Sequence, residues 1–314
     1  MKLIFFGTPQ PAAEMLDVLI KAGHEILGVV TQPDRPQGRG KEVVFSPVKQ
    51  LALDHKLPVE QPEKVKNNPE FINWLRKLQP EIIVVVAYGN ILPPELLNIP
   101  KYGCLNLHAS LLPKYRGAAP IQYALLNGET ETGITVMKIA EALDSGDVLL
   151  QEKLAIAGND DTPSLSKRLF SVGGPLLLKA LRQIAEGKAK YQPQDEKLVT
   201  YAPTIAKESG EIDWRQSATD IHNRIRALVP WPVAHTFFQK QLLKIWQSEV
   251  VAFDLATEYQ ASGSIVAINR DGVVMATGKG QIVIKEVQLA GGKRLSAFDF
   301  ALGHDVKIGK TLPN

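Results

Sequence analysis

The chain has 314 residues, a formal net charge of +3 and one cysteine, and this length is enough for two domains with separate cores. An apolar share of 45% beside 22% charged residues is typical of a folded globular protein and excludes a disordered one. The single cysteine, Cys104, excludes an intrachain disulfide framework, and we interpret it as a small buried apolar residue. The apolar start, 1–6, is too short for a secretory signal, and no apolar run approaches the ~20 residues of a membrane helix. We therefore expect a cytoplasmic protein.

Charge is distributed evenly along the chain. Residues 1–188 contain 21 Lys and Arg against 20 Asp and Glu, a difference of +1, and the remainder contains 15 against 13, a difference of +2. Neither part has the strong basic excess that usually indicates nucleic-acid binding.

The first part of the chain alternates short apolar runs with longer amphipathic stretches. The predicted strands are 2–6, 25–31, 82–87, 104–109 and 134–139, and the predicted helices are 12–19, 47–53, 70–78, 120–126 and 164–185. The run 82–87 is nearly all β-branched, which is typical of a strand covered on both faces. This alternation predicts an α/β domain with a mostly parallel sheet, over residues 1–188.

The pattern changes after Gly187. Residues 189–207, with Pro193 and Pro203, are predicted to be a linker, and one helix is predicted at 218–228. Five short strands follow, separated by glycine-rich turns, at 235–238, 242–251, 264–269, 272–276 and 282–288. Five strands in about 75 residues indicate a small OB-like β-barrel in a C-terminal domain of residues 208–314.

The sequence lacks the complete form of several nucleotide-binding and zinc-binding motifs. Pro9 stands where a dinucleotide fingerprint needs its second glycine, which argues against NAD. The segment 38–41 has neither the earlier glycine nor the Ser or Thr of a phosphate-binding Walker loop, and the chain has no closely spaced Cys and His set for zinc. We expect no metal.

The segment 104–109 carries two polar residues on an apolar strand. Asn106 and His108 are two positions apart, so their side chains leave the same face of the strand. Polar groups in a buried strand must be hydrogen-bonded or functional, and ligands bind at the C-terminal edge of an open α/β sheet. On residue types alone, a hydrogen-bonded core pair and a functional site are equally good interpretations.

The next predicted strand leads into a loop that contains Asp144. If the two strands are neighbours, Asp144 can reach His108, and a carboxylate partner favours the charged form of histidine. An amide, an imidazolium and a carboxylate suit the attack of an amine on a carbonyl, because the first two stabilise an oxyanion and the third accepts a proton. Taken alone, Asp144 is more simply a turn residue before Gly146.

Three blocks, in this order and spacing, resemble the folate-dependent formyltransferase family. They are Asn106-x-His108, Ser110-Leu111-Leu112-Pro113 and Leu143-Asp144-Ser145-Gly146-Asp147. The resemblance implies a Rossmann-like domain that uses 10-formyltetrahydrofolate as co-substrate, with Asn106, His108 and Asp144 as the catalytic residues. It also implies that the folate lies against Ser110, Leu111, Leu112 and Pro113, and that its pterin side lies against the loop of Tyr88, Gly89, Ile91 and Leu92.

Further segments resemble the branch of this family whose acceptor is the initiator methionyl-tRNA. They are the stretch from Gln32 to Lys41, the stretch from Tyr115 to Gln122, and Pro230-Trp231-Pro232. A basic loop at a strand edge can grip an RNA backbone, and we expect Arg35, Arg39 and Lys41 to contact the tRNA. The implied protein is a monomeric transferase of translation initiation with no membrane partner.

Two other functions would each account for only part of this pattern. A formyltransferase acting on a small amine or amino sugar would share the folate chemistry, but it would not need an added RNA-binding domain. An RNA-binding protein on an inactive scaffold would not need the three catalytic residues.

Overall fold

The computed structural model describes residues 1–37, 42–251 and 260–313. The chain divides into two compact units. Unit 1 consists of Met1–Pro120, Glu131–Ala155 and Ser166–Pro203, and unit 2 consists of Ile121–Thr130, Ile156–Leu165 and Thr204–Asn314. Within the described ranges, no helix combines the length and apolar character needed to span a membrane.

Unit 1 is built on a seven-stranded sheet with the order β5-β2-β1-β6-β7-β8-β9. The first five strands in this order pair in parallel, whereas β8 pairs antiparallel with both β7 and β9. The strands are β1 (Lys2–Gly7), β2 (Glu25–Val30), β5 (Val59–Glu60), β6 (Ile82–Val86), β7 (Cys104–His108), β8 (Glu131–Lys138) and β9 (Val148–Ala155), and a separate hairpin is formed by β3 (Arg35–Gln37) and β4 (Glu42–Val44).

The helices that follow the strands of unit 1 are amphipathic. They are α1 (Gln10–Lys21), α2 (Pro47–Asp54), α3 (Pro69–Leu78) and α4 (Pro94–Leu97), while α5 (Pro120–Leu126) and α6 (Thr162–Ala185) contain residues of both units. Ser46 and Asn68 accept backbone N–H groups at the starts of α2 and α3, which satisfies donors that a helix start leaves free. A core of fully or nearly fully buried side chains, including Ile4, Phe6 and Ile83, packs the sheet against α3 and α4.

Unit 2 contains a six-stranded antiparallel sheet with the order β10-β11-β14-β13-β12, with β15 added beside β14. Its elements are α7 (Ala218–Ala227), β10 (His235–Phe238), β11 (Gln241–Val251), β12 (Ile265–Asn269), β13 (Gly272–Ala276), β14 (Gln281–Leu289), β15 (Arg294–Ser296) and α8 (Ala297–Gly303). Trp214, which is fully buried, packs with Ile221 and Ile282 in the core of this unit.

The predicted fold class is confirmed: a largely parallel α/β sheet is followed by an antiparallel β domain. Several elements escaped prediction, among them the strands β3, β4, β5 and β15, each of only two or three residues. The edge strand β9 carries the exposed residues Gln151, Glu152 and Lys153 and shows no clean alternation. The helix α4 has only four residues, which is too short for a helical period to stand out, and the seven-residue helix α8 was also missed.

Candidate active site

Strand β7 brings Asn106 and His108 to the same face of the sheet, as their spacing predicts. His108 is buried, and its Nε2 lies 2.9 Å from the backbone carbonyl of Tyr115. A carbonyl oxygen only accepts, so Nε2 carries the proton of this hydrogen bond. The bond fixes the ring plane and turns Nδ1 the other way.

Asp144 reaches these two side chains from the loop between β8 and β9. Its Oδ2 lies 3.7 Å from Nδ1 of His108, and its Oδ1 lies 3.5 Å from Nδ2 of Asn106. The same Oδ2 accepts the backbone N–H of Gly117 at 2.8 Å. The three residues predicted to be catalytic are therefore neighbours.

One ring nitrogen of His108 faces a backbone carbonyl, and the other faces the Asp144 carboxylate 3.7 Å away. Asn106 uses one of its two amide protons to bind Asp144, and the other proton is left for a ligand. The cluster therefore offers one free amide proton, one imidazole ring and one carboxylate held by a backbone N–H. This set can stabilise an oxyanion and accept a proton in the same small space.

The loop that follows His108 is fixed by a buried network. Thr135 donates to the carbonyl of Ser110 at 2.6 Å and accepts from the backbone N–H of Leu112 at 3.3 Å. The amide of Gln151 donates both to Thr135 and to the carbonyl of Leu112. The hydroxyl of Ser110 is directed to the carbonyl of Lys114 at 2.6 Å. Of the residues predicted at the folate, Ser110 and Leu112 thus serve the loop itself, since Leu112 is buried.

Leu111 and Pro113 remain only partly covered. Leu111 packs directly over Gly133 of β8, where an added Cβ would lie 2.4 Å from its side chain. A glycine at this position therefore lets Leu111 lie flat against the sheet.

The second predicted folate loop follows β6. Tyr88 is 2% exposed and meets the Phe6 ring edge-on, with ring centroids 5.1 Å apart, and Leu92 is buried in the same core. Gly89 has φ +90, a conformation that glycine adopts without strain. Ile91 is 78% exposed. Two of the four residues therefore anchor the loop, and Ile91 with the backbone of Gly89 is left for a ligand.

Arg35 lies exposed on β3, whereas Arg39 and Lys41 lie outside the described residues. The segment that leads to Arg35 is anchored by Asp34, which forms an ion pair with Lys49 and accepts from Gln61 at 2.9 Å. The Lys49 hydrogen bond, with that of Gln61, lowers the pKa of the Asp34 carboxyl. The start of the predicted RNA-binding loop is thus tied to α2.

Sequence reasoning missed a second layer of this site, residues 192–202, which we call the strap. The strap lies within the segment predicted to be a linker and runs beside the loop of residues 113–119. Thr200 accepts the backbone N–H of Tyr115 through its hydroxyl, and the N–H of Arg116 through its carbonyl, both at 2.9 Å. Gln194 and Glu196 bind the side chain of Arg116, which is 3% exposed. Nothing in the local sequence signals these contacts, because the partners are about 80 residues apart.

Cys104 is buried, as predicted, and burial raises the pKa of its thiol to about 12. It therefore stays protonated and is a poor nucleophile. Within the described part of the chain, no group of three or more His, Cys, Asp or Glu side chains could hold a metal ion.

The fold and the site together define a two-part enzyme, in which an α/β domain with an amide, imidazole and carboxylate cluster precedes an antiparallel β domain. The chain belongs to the formyl transferase family. Residues 1–181 match the family described as Formyl transferase, and residues 204–305 match its C-terminal domain.

Full-length relatives agree with this membership, and a solved structure has a similar fold. A methionyl-tRNA formyltransferase of Caldicellulosiruptor saccharolyticus is 48% identical over 313 residues, which cover 99% of this chain and 100% of that protein. A methionyl-tRNA formyltransferase of Caldanaerobacter subterraneus subsp. tengcongensis is 46% identical over 312 residues, with coverage of 99% and 100%. The N-formyltransferase from Helicobacter canadensis, solved with folinic acid and dTDP-3-aminofucose, has a TM-score of 0.65 and 20% identity and covers 90% of this chain and 98% of its own. At that identity the likeness supports the fold alone.

Proposed function

We propose that this chain transfers the formyl group of 10-formyltetrahydrofolate to the α-amino group of initiator methionyl-tRNA. The observation that carries this proposal is full-length similarity, at 46% and 48% identity, to relatives named methionyl-tRNA formyltransferase. The convergence of Asn106, His108 and Asp144 supports the chemistry. The product is N-formylmethionyl-tRNA, which serves translation initiation.

The three side chains divide the reaction among them. The amine nitrogen forms a bond to the formyl carbon, the carbonyl electrons move to its oxygen, and Asn106 donates an N–H to that oxygen. The imidazole of His108 lies beside the same charge, and Asp144 orients the ring and accepts the proton of the amine, directly or through water. Collapse of the oxyanion breaks the bond to N10 of the folate, and the proton ends on that nitrogen.

The loops after β6 and β7 are our candidates for the folate site. Ile91 and Leu111 offer apolar surface, and the backbone beside Gly89 offers donors and acceptors to a flat polar ring. The buried side chains of Tyr88 and Leu112 hold these two loops in place. Within the motifs, Ile91, Leu111 and the backbone beside Gly89 are thus the proposed folate contacts, and Tyr88 and Leu112 support the loops.

For the RNA we propose two contacts, the loop of Arg35, Arg39 and Lys41 and one face of the unit 2 sheet. On that face Lys244, Gln288 and Arg294 form a row across three paired strands. Arg294 lies over the ring of Trp246, 3.2 Å from its centroid, and the indole N–H donates to Gln288. The stacked Arg294 guanidinium and the partly exposed Lys244 provide two positive groups that suit an RNA backbone. Glu286, 3.7 Å from Arg294, reduces the net positive charge of this face.

One assay tests the proposal. Purified protein is incubated with labelled 10-formyltetrahydrofolate and, in parallel, with initiator methionyl-tRNA, elongator methionyl-tRNA, free methionine or a nucleotide-linked amino sugar. We expect label on the initiator methionyl-tRNA, and little on the small amines. Label on the amino sugar with no response to tRNA would instead identify a small-amine formyltransferase. Binding of tRNA without transfer, at saturating formyl donor, would identify an inactive RNA-binding protein.

A further inference from the structure

Gln194 lies between the loop of residues 113–119 and the loop of residues 139–147. Its Nε2 donates to the backbone carbonyl of Asp144 at 2.8 Å and to that of Gly146 at 2.7 Å. Its Oε1 accepts from Nε and Nη2 of Arg116, at 3.1 and 2.9 Å. Carbonyls only accept and a guanidinium only donates, so these partners fix the orientation of the amide.

The hydrogen bonds of Gln194 form a closed network with the carboxylate of Asp144. Gln194 connects Arg116 to the main chain of Asp144, and the carboxylate of Asp144 accepts the N–H of Gly117, the residue after Arg116. The main chain of Asp144 is left-handed, with φ +46, a region that aspartate enters more readily than most residues with a Cβ. Gln194 binds the carbonyl of Asp144 and thereby fixes this conformation.

We propose that Gln194 is a positioning residue that holds the Asp144 carboxylate against His108 during formyl transfer. The inference rests on the proposed function. Gln194 is expected to act on the chemical step, because its bonds orient Asp144 and reach neither the loop of residues 110–113 nor that of residues 88–92. A displacement of about 1 Å at a reacting group can cost roughly 100-fold in rate.

The variant Gln194→Glu separates the two halves of the network. A carboxylate still accepts from Arg116, but it has no proton to give to the carbonyls of Asp144 and Gly146. The matched control is Gln192→Glu, which makes the same change in the same strap at an exposed side chain whose main chain pairs with Val148. We expect Gln194→Glu to lower kcat about 10-fold to 100-fold, with both KM values within about threefold and the thermal midpoint near that of Gln192→Glu.

A double-mutant comparison with Asp144→Asn distinguishes positioning from general damage. If Gln194 acts through Asp144, Gln194→Glu lowers kcat in the wild-type background and adds little in the Asp144→Asn background. Gln194→Met, which loses every hydrogen bond of the amide, gives the same comparison should the glutamate variant fold poorly. Equal kcat for Gln194→Glu and Gln192→Glu, or multiplicative losses in the double variants, would overturn the inference. Failure of the wild-type protein to formylate methionyl-tRNA would instead contradict the proposed function.

Discussion

The carboxylate of Asp144 lies 3.7 Å from Nδ1 of His108, although the strand that precedes Asp144 runs antiparallel to the strand that ends at His108. Thr135 of β8 pairs with His108, and Lys138, at the end of β8, pairs with Leu105. Three residues of strand correspond to about 10 Å, so the chain leaves β8 at the far end of β7. The loop of residues 139–147 must turn back over this distance to deliver its carboxylate.

Replacing the Asp144 carboxylate tests its role as proton acceptor. Asp144→Asn keeps the shape and an oxygen that can accept the N–H of Gly117, but it removes the negative charge. We expect kcat/KM for methionyl-tRNA to fall about 10²-fold to 10⁴-fold, because general base catalysis is typically worth that much. Formyl transfer is measured beside a thermal melt, which should change little. Undiminished transfer would show that Asp144 is not the base.

Gly146 allows the loop to turn back. A Cβ built on Gly146 would lie 1.7 Å from the carbonyl oxygen of Lys138, so Gly146→Ala forces the loop away from β8. We expect a loss of stability of about 1–3 kcal/mol, as for other overpacked sites, and at least a tenfold fall in kcat. The control is Gly158→Ala, because an added Cβ there meets nothing within 4 Å. Equal urea-unfolding midpoints and equal rates for the two variants would contradict this account.

The Thr135 hydroxyl fixes the loop of residues 110–113. Thr135→Val preserves shape but leaves the N–H of Leu112 and the carbonyl of Ser110 without that partner. We expect a loss of about 1–3 kcal/mol in stability and a raised KM for the formyl donor, with KM for tRNA less affected. Thr132→Val serves as control, since Thr132 is buried on the same strand and makes no side-chain hydrogen bond among the described residues. A larger effect on tRNA than on folate would argue against a folate-binding role for this loop.

The ion pair of Asp34 and Lys49 is expected to control tRNA affinity. Lys49→Met removes the charge and leaves Asp34 with Gln61 alone, so the start of the basic loop loses its tie to α2. We expect KM for methionyl-tRNA to rise several-fold while kcat at saturating tRNA stays within about twofold, because the catalytic residues are untouched. Lys21→Met is the control, because the Lys21–Asp17 pair lies on an exposed helix face where such pairs contribute little. A fall in kcat with unchanged KM would contradict the prediction.

The same pair predicts a pH dependence of stability. The pKa of Asp34 is held below its ordinary value of 3.8, chiefly by Lys49. A depressed carboxyl pKa contributes stability above the unfolded value, and this contribution is lost as pH falls through the folded value. The difference in unfolding free energy between the wild type and Lys49→Met should therefore be constant at pH 5 and above and shrink from about pH 4 downward. Urea titrations at a series of pH values measure it, and a difference that grows in acid would refute it.

Salt dependence tests the contact between Arg39 and the tRNA backbone. Each phosphate contact contributes nearly one unit to the slope of log affinity against log salt. We expect Arg39→Ala to weaken tRNA binding and to reduce this slope by about one, measured by filter binding at several salt concentrations. Folate affinity should not change. Weaker binding with an unchanged slope would show that Arg39 does not contact a phosphate.

Much of the fold could be predicted from the sequence because its signals are local. The β-branched run at 82–86 is a fully buried central strand, and the spacing of Asn106 and His108 places both on one face wherever that strand lies. The family-like blocks around them predicted the third partner, Asp144, without any knowledge of the path between the strands.

Other parts of the site depend on long-range contacts that leave no local trace. Gln194 reads as one polar residue in a proline-containing linker, yet it joins Arg116 to Asp144 across 78 and 50 residues of chain. Only the tertiary structure shows which motif residues are buried and which can contact a ligand. Tyr88 and Leu92 are buried in the core, whereas Ile91 is exposed.

The sequence by itself determined the class of fold, the strand that carries Asn106 and His108, and the set of groups available for chemistry, because periodicity, turn residues and side-chain type are local properties. The tertiary structure alone decided that β8 runs antiparallel, that its following loop turns back over Gly146, and that the strap supports Asp144 through Gln194. These features arise from backbone hydrogen bonds and close contacts between distant segments, and such contacts are specified only when the whole core is packed.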